Sequence, residues 1–382
     1  MNSPQEEQSL GRGDRTGDST STSTSRRFTD LQKTITMAQI AKAAGVSQGA
    51  ISSLLNDRDY GIRVSEKTRE RVFRVCRDMG YLPNDLRAVV RMYPELGSYA
   101  LLISKQLGIG LEFPFVSRLA GAAMRAVPDD SRPLTFAFYD EFTDYSANTE
   151  LLPDPVRNGI ASRFIGLGAP NLSLLHVIVR RGLSFVSLGS DVVQPGVTSF
   201  VPDYARASQL ALEAFAKQGH KRVAIVSGPF GTTDPQTVEL NRGVRMAYER
   251  LGLVVDTQNI IYGDLTFAAG LAAADTLLTR KPEPTAIFCM NEAVAGGVIA
   301  QAQARGRKVP ADVSVIGCGD DPMAVAMLPE LATIHIPAEE MGRLAIGEAD
   351  RLIRDGISSE PERKVLSVRL VERASLGPPR KG

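Results

Sequence analysis

The chain has 382 residues, of which 43% are hydrophobic and 23% are charged, and its formal net charge is +1 at pH 7. This length allows two or three domains with a large buried core, and no run of 18 apolar residues would span a membrane. The charge excludes a nucleic-acid binder that is basic throughout. Residues 34–91 nevertheless contain ten Lys and Arg against six Asp and Glu, which indicates a local anion-binding face.

The three cysteines, Cys76, Cys289 and Cys318, show no CxxC spacing, and the three histidines are not clustered. We therefore expect buried free thiols in a reducing compartment, with no disulfide framework, no metal and no cofactor. The first 33 residues include GDSTSTSTSRR and lack the apolar core of a signal peptide, so they predict a disordered tail over 1–33. These features predict a cytoplasmic protein.

The first predicted domain, residues 34–82, consists of short helices. The stretch MAQIAKAAGVSQGAISSLLN, residues 37–56, predicts two helices separated at Gly45, which is the spacing of a helix-turn-helix. Gly45 tolerates the positive φ of a tight turn, and Ser47 can cap the second helix. A third helix is predicted in VSEKTRERVFRVCRDMG, with Ser65 as its N-cap.

The rest of the chain predicts a hinge and a large α/β core. Residues 83–97 form the hinge and linker, in which LRAVVRM is too short to be a stable helix alone but allows one or two turns on a supporting surface. Over residues 98–377 strands such as YALLIS, SRFIGLG, KRVAIVSG and TAIFCMN alternate with helices. Repeated βα units of this total length predict two doubly wound parallel-sheet lobes with a cleft between them, followed by a short tail over 378–382.

Several predicted strands end in a polar residue. In open α/β sheets, ligands bind at the carboxyl ends of the strands. These residues are Asp140, Asp191, Asp203, Asn291 and Asp320. We expect ligand-binding groups of the cleft to come from this set and from the adjoining loops.

A series of motifs runs in order through both parts of the chain. IAKAAGVS, ISSLLN, VSEKTRERV and GYLPN occur in the first domain. GHKRVAIVSGP, PTAIFCMNE, VPADVSVIGCGDD, PELATIHIP, EEMGRLA and LVERASLGPP follow in the core. In order and spacing they resemble the lactose/galactose repressor (LacI/GalR) family of bacterial transcription regulators over about residues 35–377. The resemblance implies a small all-α helix-turn-helix headpiece, a hinge helix that forms on DNA, and a two-lobed core like that of periplasmic sugar-binding proteins.

The same resemblance implies a function. We expect a DNA-binding transcription regulator, acting as a repressor, that binds a palindromic operator as a homodimer. A small effector in the cleft between the lobes, a sugar or a less polar molecule, is expected to control it. Such an effector must bind the two states of the protein with different affinity, because otherwise it shifts no equilibrium.

The outward face of the second helix carries the candidate base readers. Where the family usually has an arginine this chain has Ser53, so an arginine–guanine contact, about 1–3 kcal/mol of discrimination, cannot form. Gln48 remains as an adenine reader, whereas the serines either donate to phosphates and base edges or are solvated surface. The predicted DNA-binding residues are Lys42, Ser47, Gln48, Gly49, Ser52, Ser53, Arg63 and Val90.

The hinge and the phosphate contacts leave alternatives open. Val90 stands where the family has a leucine that enters the minor groove, and it either wedges into the central base step or packs toward the core. Lys42 and Arg63, with Lys67 and Arg69, are candidates for salt-dependent phosphate contacts. Each of these four is otherwise a solvated surface charge.

The cleft departs from the family pattern. Asn291 matches the strand-end asparagine and either binds an effector hydroxyl or stabilises the turn, but Glu292 replaces the aspartate that usually follows. The position of the aspartate that binds paired hydroxyls is Gly319. Either Asp320 or Asp321 shifts into that place, or the contact is missing.

A further departure concerns the arginine that usually holds the effector, because its position is Leu240 and the nearby Arg242 points elsewhere on its helix. Loss of the arginine and of one carboxylate favours a less polar effector, or a cleft without a ligand. Phe115 either stacks on an apolar ring face or packs in the core, and Asp191 can accept from a hydroxyl. The predicted effector-binding residues are Phe115, Asp191, Asn291, Asp320 and Asp321.

Two other classes of function are weighed against this reading. An enzyme is disfavoured, because the sequence has three histidines and no GxSxG motif, P-loop or complete GxGxxG. The alternative is a non-catalytic ligand-binding protein of the same core fold with weak or non-specific DNA binding. Steep salt dependence with a small specificity ratio would distinguish that protein from an operator binder.

Overall fold

The computed structural model describes nine stretches of the chain. They are residues 35–56, 64–81, 83, 86–105, 114–129, 133–168, 170–231, 235–253 and 256–380. The predicted tail 1–33 and the predicted phosphate contact Arg63 therefore lie outside the described residues. The chain divides into two compact units, Met1–Ala88 and Val89–Gly382.

The first unit is helical where the structure describes it. Its helices are α1 (Met37–Ala44), α2 (Gln48–Asn56) and α3 (Glu66–Asp78). Gly45 has φ 64° in the turn between α1 and α2, as predicted. The predicted caps are also present: Ser47 Oγ accepts from the Ala50 N–H at 3.1 Å, and Ser65 Oγ accepts from the Thr68 N–H at 3.3 Å. The inner faces bury Ile40, Ile51, Leu55, Val72 and Cys76.

The predicted hinge segment is helical. Helix α4 (Leu86–Met92) spans LRAVVRM, and the boundary between the two units falls inside it. Val90 and Met92 are buried, which supplies the supporting surface that so short a helix needs. A single 3₁₀ turn, Pro94–Leu96, then leads to the first strand.

The second unit contains two six-stranded sheets. The first sheet consists of β1 (Ser98–Ser104), β2 (Leu134–Tyr139), β3 (Ala161–Leu167), β4 (Ser184–Leu188), β5 (Val197–Pro202) and β11 (Glu362–Leu366). The second consists of β6 (Val223–Ser227), β7 (Ile260–Tyr262), β8 (Ala286–Cys289), β9 (Ser314–Gly319), β10 (Ala332–His335) and β12 (Arg369–Val371). Their strand orders are β11-β5-β4-β3-β1-β2 and β12-β10-β9-β8-β6-β7.

Helices cover these sheets. They are α5 (Pro114–Ala126), α6 (Asp154–Arg157), α7 (Leu172–Arg180), α8 (Tyr204–Gln218), α9 (Pro235–Leu251), α10 (Phe267–Leu277), α11 (Glu292–Ala304), α12 (Met323–Ala326) and α13 (Ala338–Asp355). Further 3₁₀ turns lie at Thr149–Leu151 and Thr257–Asn259. No helix in the described stretches is long and apolar enough to cross a membrane.

The chain passes between the two lobes three times. After β5 it enters the second lobe, where α8 packs on β8, β9 and β10. After β10 it returns, and α13 packs on α5, β3 and β4 of the first lobe. The third passage joins β11 to β12. Three connections therefore join the lobes, and the carboxyl ends of their parallel strands are the predicted place for a ligand.

The predicted two-lobed parallel architecture is confirmed, with one departure. β12 pairs antiparallel with β10, whereas the other pairings in both sheets are parallel. Residues 367–368 join β11 of the first sheet directly to β12 of the second sheet. The three cysteines are buried and unpaired, as expected.

Candidate functional site

The first turn of α2 presents polar side chains to solvent. Ser47 and Gln48 are exposed, and Gly49, Ser52 and Ser53 are half-buried on the same helix. The helix N-terminus adds a partial positive charge, which favours a phosphate. This face can therefore meet an anionic backbone while the amide of Gln48 reaches a base edge.

The predicted phosphate contacts differ in their surroundings. Lys42 is exposed in the last turn of α1, and Lys67 is exposed in the first turn of α3. Arg69 is half-buried, and its guanidinium lies 3.7 Å from the Glu66 carboxylate. Because Glu66 offsets part of this charge, Lys42 and Lys67 are the better placed cations for phosphates.

Val90 occupies a buried position in α4, with 2% of its surface exposed. Of its two predicted roles, this placement corresponds to packing inside the protein. A wedge role would require Val90 to leave this position when DNA binds.

Asn291 follows β8 and caps α11. Its Oδ1 accepts from the Val294 N–H at 2.8 Å, and its Nδ2 donates to the Leu265 carbonyl at 2.9 Å. Both ends of the amide are thus engaged within the chain, which is the turn-stabilising alternative. A ligand hydroxyl would have to share or displace one of these bonds.

Asp320 follows β9 and holds together three parts of the second lobe. Its Oδ1 accepts from Arg373 at 2.7 Å and its Oδ2 lies 2.9 Å from His335 Nδ1. Burial opposes its ionisation, but these two partners outweigh burial and hold the pKa of the Asp320 carboxyl below its usual value. Its positive φ of 56° is uncommon for a residue with a side chain and marks a tightly determined turn.

Glu292 explains why residue 319 is a glycine. Its side chain is buried, and its Oε1 accepts from the Asp320 N–H at 2.7 Å and from Thr333 Oγ1 at 2.6 Å. A Cβ on Gly319 would lie 2.6 Å from Glu292 Oε2. The longer carboxylate therefore fills the space that a side chain at 319 would need. Burial and then the neighbouring Asp321 raise the pKa of Glu292 to about 7.

The remaining predicted effector residues also have partners or neighbours in the chain. Asp321 is buried, and its Oδ1 accepts from the Met323 N–H at 2.8 Å. Asp191 forms an ion pair of 2.7 Å with Arg363 on the edge strand β11. Phe115 is half-buried against the core of the first lobe.

The two departures on α9 have clear structural consequences. Leu240 is 1% exposed and belongs to the hydrophobic core, so the effector-binding arginine is replaced by a packing residue. Arg242 is exposed and pairs with Glu239 of the same helix.

Arg118 joins the two lobes, and sequence reasoning missed it. It lies on α5 of the first lobe, and its Nη1 donates to the carbonyls of Gly319 at 2.8 Å and Asp320 at 3.1 Å in the second lobe. Its Nε and Nη2 donate to Glu339 in the first turn of α13. The available signal was an arginine on an otherwise apolar helix, PFVSRLAGAAM, which is a weak one.

Apolar side chains are exposed where strands of both lobes end. They are Phe142 after β2, Leu172 after β3, Val193 after β4, Phe230 after β6 and Tyr262 at the end of β7. The rings of Phe230 and Tyr262 meet edge to face with centroids 5.0 Å apart. Both carboxyl edges therefore offer exposed apolar surface, while the polar side chains beside them serve the fold. Among the described residues no group of three His, Cys, Asp or Glu is placed to hold a metal ion.

Comparison with known proteins gives a consistent result over the whole core and headpiece. The model of bacterial regulatory proteins of the lacI family matches residues 36–84, and that of the periplasmic binding protein-like domain matches residues 212–376. The chain is 28% identical to the HTH-type transcriptional regulator CelR of Thermobifida fusca, over 89% of this chain and 98% of that protein. It is 30% identical to the HTH-type transcriptional regulator DegA of Bacillus subtilis (strain 168), over 90% and 98% respectively.

Among solved structures, the complex of CelR with cellobiose covers 89% of this chain and 99% of its own, with TM-score 0.61 and 26% identity. The fold and these likenesses define a transcription regulator with a helix-turn-helix DNA-binding unit and a two-lobed binding core, not an enzyme. The chain belongs to the lacI family of bacterial regulatory proteins.

Proposed function

We propose that this regulator binds a palindromic operator through α2 and acts as a repressor in the cytoplasm. The observation that carries the proposal is the capped helix-turn-helix with Ser47 and Gln48 exposed on the first turn of α2. Because the arginine that usually reads guanine is absent, Gln48 is the principal base reader and Lys42 contributes to affinity without sequence preference.

Selection of bound duplexes from a random library, by the purified full chain at one stated salt concentration, tests this function. We expect an enriched palindrome with a flexible central step. Salt-sensitive binding without enrichment would instead support the alternative, a ligand-binding protein with non-specific DNA affinity.

We propose that the operator-binding form is a homodimer. Phe136 and Phe138 are exposed on one face of β2, which is an edge strand of the first sheet, and an edge strand with apolar side chains is a ready surface for a second copy. In the second lobe, Val325 and Leu328 are also exposed apolar residues after β9.

Sedimentation of the full chain tests the dimer. We expect a mass twice the chain mass of 41.2 kDa, and a shift toward the monomer in Phe138→Lys. Phe142→Lys is the matched control, because Phe142 is exposed on a loop outside β2. Equal masses for wild type and Phe138→Lys would exclude β2 from the interface.

We propose that the cleft binds a small effector with an apolar face, either a sugar presenting its C–H groups or a less polar ring. Asn291, Asp320 and Asp191 already hold partners in the chain, whereas apolar side chains at the strand ends are exposed. Phe115 is the proposed stacking residue. The solved CelR complex contains cellobiose, which makes cellobiose the first compound to test.

Thermal unfolding in the presence of cellobiose and of a panel of aromatic glycosides tests the effector. A ligand that binds only the folded chain raises the melting temperature with concentration. We expect at least one compound to do so in wild type and to lose most of this effect in Phe115→Ala. If no compound of either class stabilises the protein, the effector proposal is wrong, while the DNA-binding proposal stands.

A further inference from the structure

Arg163 is a buried cation outside both the DNA-binding face and the cleft. It lies on β3 with 3% of its surface exposed, and its Nε donates to Asp350 Oδ1 at 2.5 Å. The guanidinium carbon lies 5.2 Å from the centroid of the Tyr99 ring, and Tyr99 Oη donates to both oxygens of Asp350. A cation is expensive to bury unless it is fully paired, so this arrangement calls for a reason beyond packing.

The remaining donors of Arg163 are directed at the linker that follows the hinge helix. Nη1 donates to the carbonyls of Pro94 at 3.2 Å and Gly97 at 2.8 Å, and Nη2 donates to the carbonyl of Glu95 at 3.3 Å. Ser162 Oγ adds a bond of 2.6 Å to the Pro94 carbonyl. The guanidinium is a rigid fork, so it fixes these three carbonyls and the Asp350 carboxylate in one relative arrangement.

Helix α13 connects this anchor to the cleft. Asp350 lies near its end, and Glu339 in its first turn accepts from Arg118, which bonds the end of β9. Asp350 follows Glu339 by eleven positions of helix, a rise of about 16 Å at 1.5 Å per residue. Helix α13 therefore binds Arg118, which joins the lobes, through Glu339 at one end, and binds Arg163, which holds the linker, through Asp350 near the other end.

We propose that Arg163 is a positioning residue for DNA binding, which fixes the linker to α13 through Asp350 and so couples the arrangement of the lobes to the hinge helix α4. This inference rests on the proposed operator binding and names how the core controls it. Arg163 touches neither DNA nor effector in this account and acts through the Pro94–Gly97 carbonyls.

Hydrogen exchange of the full chain, followed by mass spectrometry on peptides that cover residues 93–99, tests the anchor without any operator. The Leu96 and Gly97 amides donate to the carbonyls of Tyr93 and Pro94, so loosening the linker exposes them. We expect at least tenfold faster exchange in Asp350→Asn and in Arg163→Lys. Lysine keeps the positive charge but cannot donate to three carbonyls and a carboxylate at once.

Glu348→Gln is the matched control. Glu348 is a buried carboxylate of α13, two positions before the half-buried Asp350, and its partners are Thr198, Arg351 and Lys364. We expect Glu348→Gln to lower stability without accelerating exchange at 93–99. Equal acceleration in Glu348→Gln and Asp350→Asn, or none in either, would overturn the proposal.

Two further readouts address the coupling. As a single substitution, Arg118→Met should change the rate of hydrogen exchange at residues 93–99. In a chain that already carries Asp350→Asn it should have no further effect, because Asp350→Asn breaks the link between α13 and the linker. On a selected palindrome, Asp350→Asn should bind about tenfold more weakly than wild type, with unchanged affinity for a random duplex. An Arg118→Met effect that persists in Asp350→Asn would contradict coupling through this anchor. Failure of wild type to select any palindrome would contradict operator binding and leave the exchange test valid.

Discussion

The first turn of α2 and the carboxyl edge of the second sheet both carry polar side chains, but they relate differently to the rest of the chain. Ser47 and Gln48 face solvent on the helix. At the sheet edge, Asn291 caps α11 and Asp320 binds Arg373 and His335. The comparison teaches that a polar residue at a strand end is a candidate for ligand binding only after its bonds within the chain have been counted.

The two regions also differ in what a substitution should do. Changes on α2 should alter DNA binding with little effect on folding, because the side chains are exposed. Changes at the sheet edge should alter stability first, because each polar group there satisfies another buried group. The predictions below test this difference.

The largest effect is expected for Gly319→Ala. The added Cβ would lie 2.6 Å from Glu292 Oε2, and the glycine has φ 138°, which residues with side chains rarely adopt. We expect a loss of about 2–4 kcal/mol in the free energy of unfolding, measured by urea denaturation. Gly347→Ala is the control: it lies in α13 with open space around it, and we expect a small gain. Equal stability of the two variants would contradict the close approach of Glu292.

A pH-dependent effect is expected for Glu292→Gln. The pKa of Glu292 is raised from 4.5 to about 7, so the folded chain binds its proton more tightly than the unfolded chain. Wild type should therefore lose stability through this group as the pH rises from about 4.5 to 7. We expect urea denaturation to show a flatter profile for Glu292→Gln over this range.

Glu348→Gln should show the opposite dependence of folding stability on pH. Although burial opposes its ionisation, hydrogen bonds from Arg351 and Lys364 lower the pKa of Glu348 to about 2. Its stabilisation is present at neutral pH and is lost as the pH falls from 4.5 toward 2. We expect Glu348→Gln to be less stable than wild type at pH 7 and to approach it in acid. The same profile for both variants would refute the assignment of Glu292.

A moderate loss of stability is expected for Asn291→Ala. Removing the cap leaves the Val294 N–H without this acceptor, which costs about 1 kcal/mol. Asn291→Asp keeps the N-cap acceptor but places a carboxylate oxygen against the Leu265 carbonyl in place of the amide donor, so it should recover only part of the loss in thermal unfolding. If Asn291→Ala is as stable as wild type but loses the response to an effector, Asn291 binds the ligand and its side chain does not serve the fold as a helix cap.

The smallest effect is expected for Lys42→Ala. Loss of one exposed cation should weaken all duplexes about equally and reduce the slope of log affinity against log salt by about one. Titrations of a selected and a random duplex at several salt concentrations measure both quantities. A loss confined to the selected duplex would show that Lys42 reads sequence.

The headpiece could be predicted closely from the sequence, because its signals are local. Gly45, Ser47 and Ser65 act on residues within three or four positions of themselves. The polar contacts of the cleft could not be predicted in this way, because the partners of each contact lie far apart in the sequence. Asp320 binds Arg373, 53 positions away, and Arg118 binds the Gly319 carbonyl, 201 positions away.

Short continuous apolar runs predicted most of the strands, since parallel strands are buried on both faces. It did not reveal that Glu292 fills the space at Gly319. That relation depends on the distance between two neighbouring strand ends, and the two residues are 27 positions apart in the sequence. A larger side chain at one position that goes with a missing side chain at a distant position leaves no pattern in a single sequence.

The most direct test of the account compares the duplexes selected by wild type with those selected by Gln48→Ala, at the same salt concentration and with matched stability in thermal unfolding. We expect that the variant still enriches the palindrome but loses its preference at one base pair of each half-site. Unchanged preference at every position in Gln48→Ala would show that the exposed face of α2 does not read sequence through this residue, and would contradict the central claim.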